Sequence, residues 1–255
     1  MGQIIAPAQG KKIFLLRPHS VIHEEMLDIL IMAGYETYTI LDEKKARKLL
    51  EKFAGSIMLI NIDEGLEENE WETYIRGVME DISTRESRLG IMSYNQDKDL
   101  MQKYLMDLAI PCGYIQLKLG LQESTKILLS ALEANEARGR RKCIRAECAD
   151  DINATLNYQD DTGVVHGKIL DISSSGIAAK FDRSISLVHN SLLRKVQLKL
   201  RGGLVLTDMI FMGKRHDDPS VGIFLFDPKM NQDQKLVIHR YIKMCLQKYI
   251  DNFVV

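Results

Sequence analysis

The 255-residue sequence predicts two domains of different class. Residues 1–137 read as a doubly wound α/β domain. Residues 138–255 read as an all-β domain, a six-stranded antiparallel barrel with a C-terminal helix. Three observations predict this. Strand-like and helix-like segments alternate five times before residue 137, the mark of a parallel sheet with covering helices. After residue 150 the apolar residues come in short, alternating runs separated by turn signals, the mark of a barrel. The charge also changes sign at the join: residues 1–137 carry 15 Lys and Arg against 22 Asp and Glu, whereas residues 138–255 carry 19 against 13. Such a break marks a domain boundary and points to an anionic partner for the basic half.

The first half begins with the apolar run Lys12–Leu16. His23–Ala33 carries Met26, Leu27, Leu30 and Ile31 on one helical face, with Gly34 as its C-cap. Tyr35–Ile40 is β-rich. Ala46, Leu49, Leu50 and Phe53 give Glu43–Phe53 a helical stripe. Ser56–Ile62 is unbroken apolar chain, as expected of a strand covered on both faces. Trp71–Ile82 predicts a helix, Leu89–Ser93 a strand, Leu100–Leu108 a helix and Tyr114–Leu117 a strand. Gln122–Ala137 predicts a last helix that runs straight into basic sequence.

In the second half Ile152, Ala154, Leu156 and Tyr158 alternate with polar residues as in a half-buried strand. Asp160-Asp161-Thr162-Gly163 is a turn. Val164–Leu170 and Ile177–Phe181 follow as strands, then the alternating Val196, Leu198 and Leu200. Arg201-Gly202-Gly203 turns the chain into Leu204–Met212. His216–Ser220 is a polar turn before the strand Val221–Phe226. The chain closes with a helix, about residues 233–250, whose Val237, Ile238, Tyr241, Ile242, Cys245 and Tyr249 form an apolar stripe. That stripe packs on the barrel or is offered to a partner.

Two short motifs carry the chemistry. The basic arm, residues 138–147, holds Arg138, Arg140, Arg141, Lys142 and Arg145, with no acid before Glu147. About thirty residues on stands Asp171-Ile172-Ser173-Ser174-Ser175-Gly176 at the end of a strand. A guanidinium fork matches phosphate, and it also matches the O6/N7 edge of guanine, in both cases bidentately. A carboxylate such as Asp171 suits the donor edge of the same base. Ser173 can bond a phosphate or brace its turn. Gly176 permits a backbone angle or a close approach that a β-carbon would block.

Arg141-x-x-x-Arg145, preceded by Arg140 and followed by Asp171-x-Ser173-x-x-Gly176, resembles the PilZ domain, a bacterial receptor for cyclic di-GMP. The resemblance covers roughly residues 138–252 and keeps every defining position. It implies a small barrel with a flexible basic arm. Arg140, Arg141, Arg145, Asp171, Ser173 and Gly176 are then the ligand-binding residues. It implies a receptor and not an enzyme, with cyclic di-GMP as ligand, no cofactor, and roles in motility, adhesion and biofilm control. Ligand that gathers the arm against the barrel would reorient the two domains and so alter binding of a downstream protein partner that the sequence does not name.

The α/β half resembles the receiver domain of response regulators in degenerate form. Lys118 stands where that family has a lysine after the fifth strand, and Ser93 at the hydroxyl position after the fourth. Arg17-Pro18 replaces the metal-binding acids, and Asn61 replaces the aspartate that is phosphorylated. An amide forms no acyl phosphate, and a site without clustered carboxylates holds Mg²⁺ poorly. The resemblance implies a pseudo-receiver used for contacts.

No apolar run is long enough to span a bilayer, so no membrane insertion is expected. Residues 1–7 lack the basic and apolar stretches of a signal peptide, which predicts a cytoplasmic protein with Cys112, Cys143, Cys148 and Cys245 as reduced thiols. His19-x-x-x-His23 has helical ligand spacing but lacks a third partner, so no metal is expected. No catalytic set is visible. The alternative function is a nucleic-acid-binding module or a protein-interaction adaptor that uses the basic arm without a nucleotide ligand. The arm lacks the interleaved aromatics that single-stranded nucleic acid calls for.

Overall fold

In the computed structural model, which describes residues 10–253 other than 22, 140 and 185, the apolar runs of the first half pair as one parallel sheet. Its strands are β1 (Ile13–Leu16), β2 (Thr37–Ile40), β3 (Ile57–Asn61), β4 (Arg88–Ser93) and β5 (Tyr114–Gln116), in the order β2-β1-β3-β4-β5. This is a doubly wound order with its switch point between β1 and β3. Both strands are buried along their whole length, which is why neither alternates in sequence.

Among the described residues five α-helices follow the strands in turn: α1 (His23–Met32), α2 (Glu43–Lys52), α3 (Glu68–Glu80), α4 (Lys98–Gln102) and α5 (Leu121–Ala134). Gly34 ends α1 as predicted. Its φ is +89°, and the Tyr35 amide donates to the Leu30 carbonyl at 2.9 Å and the Gly34 amide to Ile31 at 3.0 Å, a Schellman closure. Asp42 caps α2 by accepting from the Lys45 amide at 2.6 Å. The helix predicted over Leu100–Leu108 is regular only in α4. It widens into a π-helical turn over Lys103–Asp107, where the Leu108 amide reaches back to Lys103, beside the fully buried Tyr104.

The second half forms an antiparallel barrel. Its strands are β6 (Arg145–Glu147), β7 (Thr155–Asp160), β8 (Gly163–Ser173), β9 (Gly176–Phe181), β10 (Leu192–Leu200), β11 (Gly203–Lys214) and β12 (Val221–Phe226). The order β8-β7-β10-β11-β12-β9 closes by pairing β9 back onto β8, so six strands make the barrel. The short β6 adds to the far end of β8 beyond the β7 pairing. Inward residues such as Leu156, Val165, Leu198, Val205 and Phe224 alternate with exposed ones and fill the interior.

Ile152 does not join β7. Asp151 captures the Asn153 amide at 3.0 Å and turns the chain there, leaving Ile152 exposed. In the C-terminal helix α6 (Gln232–Asp251), Ile238, Tyr241, Ile242 and Cys245 of the predicted stripe are buried, whereas Tyr249 is 52% exposed. The Tyr241 hydroxyl donates to Asp151 Oδ2 at 2.9 Å, and Val237 lies against Gly203 at the start of β11.

The described chain forms two compact units. One runs to Lys142 and includes the residues from Ile250 onward; the other is Cys143–Tyr249. Among the described residues no helix is long and apolar enough to cross a membrane.

Candidate functional site

A single extra residue in β8 sets the aim of Asp171. Val165, Gly167 and Ile169 are buried, as alternation requires. Between Ile169 and Asp171 the register against β9 slips: Ile169 pairs with Ala179 and Asp171 with Ala178. Ile172 therefore takes the core position and Asp171 is turned toward two arginines. Without this bulge, strict alternation would aim the carboxylate into the apolar interior.

The end of the basic arm is a strand. β6 runs antiparallel to β8, with Arg145 opposite Ser173 and Glu147 opposite Asp171. This brings residues from the two motifs onto one face. Arg145 Nη1 lies 3.9 Å from Asp171 Oδ1, close enough for Coulombic attraction and beyond a hydrogen bond. The Arg145 side chain is 42% exposed and that of Asp171 only 14%.

Ser173 is 5% exposed and its hydroxyl is engaged by its own turn. It donates to the Gly176 carbonyl at 3.2 Å, accepts from the Ser175 amide at 3.3 Å, and lies 3.1 Å from the Ser175 hydroxyl. Of the two roles open to it in sequence, this geometry is the bracing one. Gly176 has no positive φ. Its reason is close approach: a β-carbon there would overlap the Phe224 carbonyl oxygen on β12.

The rest of the arm differs residue by residue. Arg138 is tied down. Its guanidinium donates to the Ala33 carbonyl at 2.8 Å and stacks 5.2 Å from the Tyr35 ring centre. Arg140 lies outside the described residues. Arg141 and Lys142 are exposed, and among the described residues no hydrogen bond or ion pair engages the Arg141 guanidinium. Arg145 is already in the sheet.

Sequence reasoning missed Arg215. It follows β11 and precedes the His216–Ser220 polar turn, in no motif, yet its Nη2 makes a direct ion pair with Asp171 Oδ2. The signal that could have found it is the uncapped Lys214-Arg215 pair at a strand end. Only the β8-β9-β12-β11 neighbourhood brings that end to Asp171. Arg145, Asp171 and Arg215 together offer two guanidinium forks around one shielded acceptor.

The switch point of the parallel sheet is occupied by the protein's own groups. Asn61, fully buried, donates to the Arg17 carbonyl at 2.8 Å. Asp63 accepts from the Ser93 hydroxyl and from the Tyr94 amide. The Arg17 guanidinium is paired with Glu43, and Lys118 Nζ donates to Gln96 at 3.2 Å. The His23 ring bonds Thr39 at 2.6 Å. Among the described residues no three His, Cys, Asp or Glu side chains are grouped to hold a metal ion.

No family model matches the sequence, and no curated protein does. Solved structures similar to this chain include the PilZ domain with c-di-GMP of YcgR from Escherichia coli. It is 13% identical with a TM-score of 0.38, over 45% of this chain and 99% of that one. The K. pneumonia MrkH–c-di-GMP complex is 21% identical with a TM-score of 0.32, over 43% of this chain and 52% of that one. The Bacillus subtilis inhibitor of motility, MotI/DgrA, is 13% identical with a TM-score of 0.34, over 45% of this chain and 53% of that one. The chain thus spans about half the length of the last two.

Proposed function

We propose that this protein is a non-enzymatic receptor for cyclic di-GMP, with Arg140, Arg141, Arg145, Asp171, Ser173 and Gly176 forming its site. One observation carries the reading. The β6–β8 pairing sets Arg145 beside Asp171, and the β8 bulge turns that carboxylate out of the core, so a guanidinium donor and a carboxylate acceptor share one face. A guanine presents acceptors on one edge and N–H donors on another, which these two groups complement. Arg141, exposed and unengaged among the described residues, supplies a fork for phosphate. Ser173 and Gly176 hold the turn that supports Asp171 and need not touch the ligand.

The division between the compact units falls between Lys142 and Cys143, inside the Arg141–Arg145 motif. A ligand held by both arginines would join residues of the two units. It reorients one relative to the other only as far as it prefers the gathered arrangement. That change in arrangement is the signal offered to a downstream partner. Small-angle scattering with and without cyclic di-GMP tests it; identical envelopes at saturation contradict it.

Titration calorimetry tests the receptor reading itself. Wild type binds cyclic di-GMP and neither GTP nor cyclic GMP. Arg141→Ala, Arg145→Ala and Asp171→Ala lose or severely weaken that binding while retaining a folded circular-dichroism spectrum. Binding that is equal for all three nucleotides and falls steeply with salt would instead mark a nonspecific polyanion site.

A further inference from the structure

Arg215 belongs to neither half of the motif, yet it is the residue bonded to Asp171. Its backbone is fixed, since its amide donates to the Val221 carbonyl at 2.8 Å across the β11–β12 connection. Its guanidinium takes Asp171 Oδ2. Asp171 Oδ1 stands 3.9 Å from Arg145, which makes no hydrogen bond to it. The carboxylate side chain is 14% exposed, too covered to remain without a cation. Were Arg215 absent, Arg145 would be the cation at hand. It would close those few tenths of an ångström beyond hydrogen-bond reach and spend its fork on Asp171. Among the described residues no hydrogen bond engages the Arg145 guanidinium, because another guanidinium already answers the carboxylate.

We infer that Arg215 is a positioning residue of the proposed nucleotide site: it holds Asp171 by one oxygen, so that the other oxygen and the Arg145 fork stay available to the ligand. This rests on the receptor reading above and extends it to a residue outside both motif halves. Arg215 also adds a further positive charge beside a ligand that carries two phosphates, which acts in the same direction.

The test is a double-mutant cycle with cyclic di-GMP, read by titration calorimetry and by thermal melting of the ligand-free protein. Arg215→Ala and Arg215→Gln are made in wild type and in Asp171→Asn, which keeps an acceptor oxygen but no charge. In wild type, either change weakens binding about tenfold or more, the size of one charge-assisted hydrogen bond. Arg215→Lys recovers part of the loss. In the Asp171→Asn background the same changes cost less than about threefold, because a neutral amide does not recruit Arg145. A purely structural Arg215 would lower melting and affinity alike in both backgrounds, and that outcome overturns the inference. So does unchanged or tighter binding by Arg215→Gln, which would make Arg215 a bystander or a competitor. A wild type that binds no cyclic di-GMP fails the receptor reading, and the inference falls with it. Wild-type binding that survives Arg215→Gln intact sinks the inference alone.

Discussion

Arg145 stands directly across the β6–β8 pair from Ser173, so the last arginine of the basic arm and the serine of the Asp-x-Ser turn are neighbours in one ladder. The arm therefore enters the barrel as a strand with a fixed register. Of the described residues before it, Arg138 is docked on the Tyr35 ring.

The Ser173–Gly176 turn is held from both ends, by the Ser173 hydroxyl and by the close passage of Gly176 past Phe224. Gly176→Ala forces a methyl into a backbone carbonyl that cannot retreat without breaking the β9–β12 ladder. It should cost about 3 kcal/mol or more, at or above the upper end for overpacking. Urea denaturation measures this, and an alanine variant as stable as wild type would refute the close-approach explanation.

Asn61 is buried and its amide donates to the Arg17 carbonyl. Asn61→Asp replaces that donor with a carboxylate facing a carbonyl oxygen. It should destabilise the α/β unit by about 3–5 kcal/mol, the range for a buried charge left without its partner. Wild type treated with acetyl phosphate should show no added phosphoryl mass. Either an Asn61→Asp variant as stable as wild type or a phosphorylated wild type would show that this switch point is not committed to internal contacts.

Tyr241 of α6 donates to Asp151, whose turn begins β7. Burial pushes the Asp151 carboxyl up, but the Asn153 amide and the Tyr241 hydroxyl together outweigh it and leave the group below its ordinary value. A depressed folded value means stability that is full above the unfolded value near 4 and fades as pH falls through the folded one. Tyr241→Phe should cost about 1 kcal/mol at pH 7, toward the low end because Asp151 is only part buried. The wild-type-to-variant gap should narrow as pH is lowered below 4. A gap independent of pH would assign the loss to packing.

Burial raises three of the four thiols: Cys112 to about 11, Cys148 to about 12, and Cys245 upward as well. Cys143, in the arm, is half-buried. Alkylation at pH 8 followed by mass spectrometry should modify Cys143 alone, because little thiolate exists at the others and none is open to reagent. Cyclic di-GMP should slow that single modification. Rapid labelling of Cys148 in native protein would contradict its burial.

Much of the fold was legible in the sequence. The unbroken apolar Ile57–Ile60 announced a strand covered on both faces, Gly34 announced the end of α1, and the alternation of Val196, Leu198 and Leu200 announced a barrel wall. These signals are local: they depend on the period of one element and the chemistry of its caps. Ile152 misled because a nearby Asp151 offered the backbone a turn in competition with a strand.

The candidate site residues were picked out in the sequence by their resemblance to a two-part motif, with roles suggested by the chemistry of guanidinium, carboxylate, hydroxyl and glycine. Their arrangement was decided in three dimensions. The bulge at Leu170 inverted which side of β8 carries Asp171, β6 brought Arg145 to Ser173, and barrel closure delivered Arg215 to the same carboxylate. Each depends on register between strands far apart in the chain. Register is settled by how the whole barrel buries its apolar faces, and a residue's sequence neighbours carry no record of it.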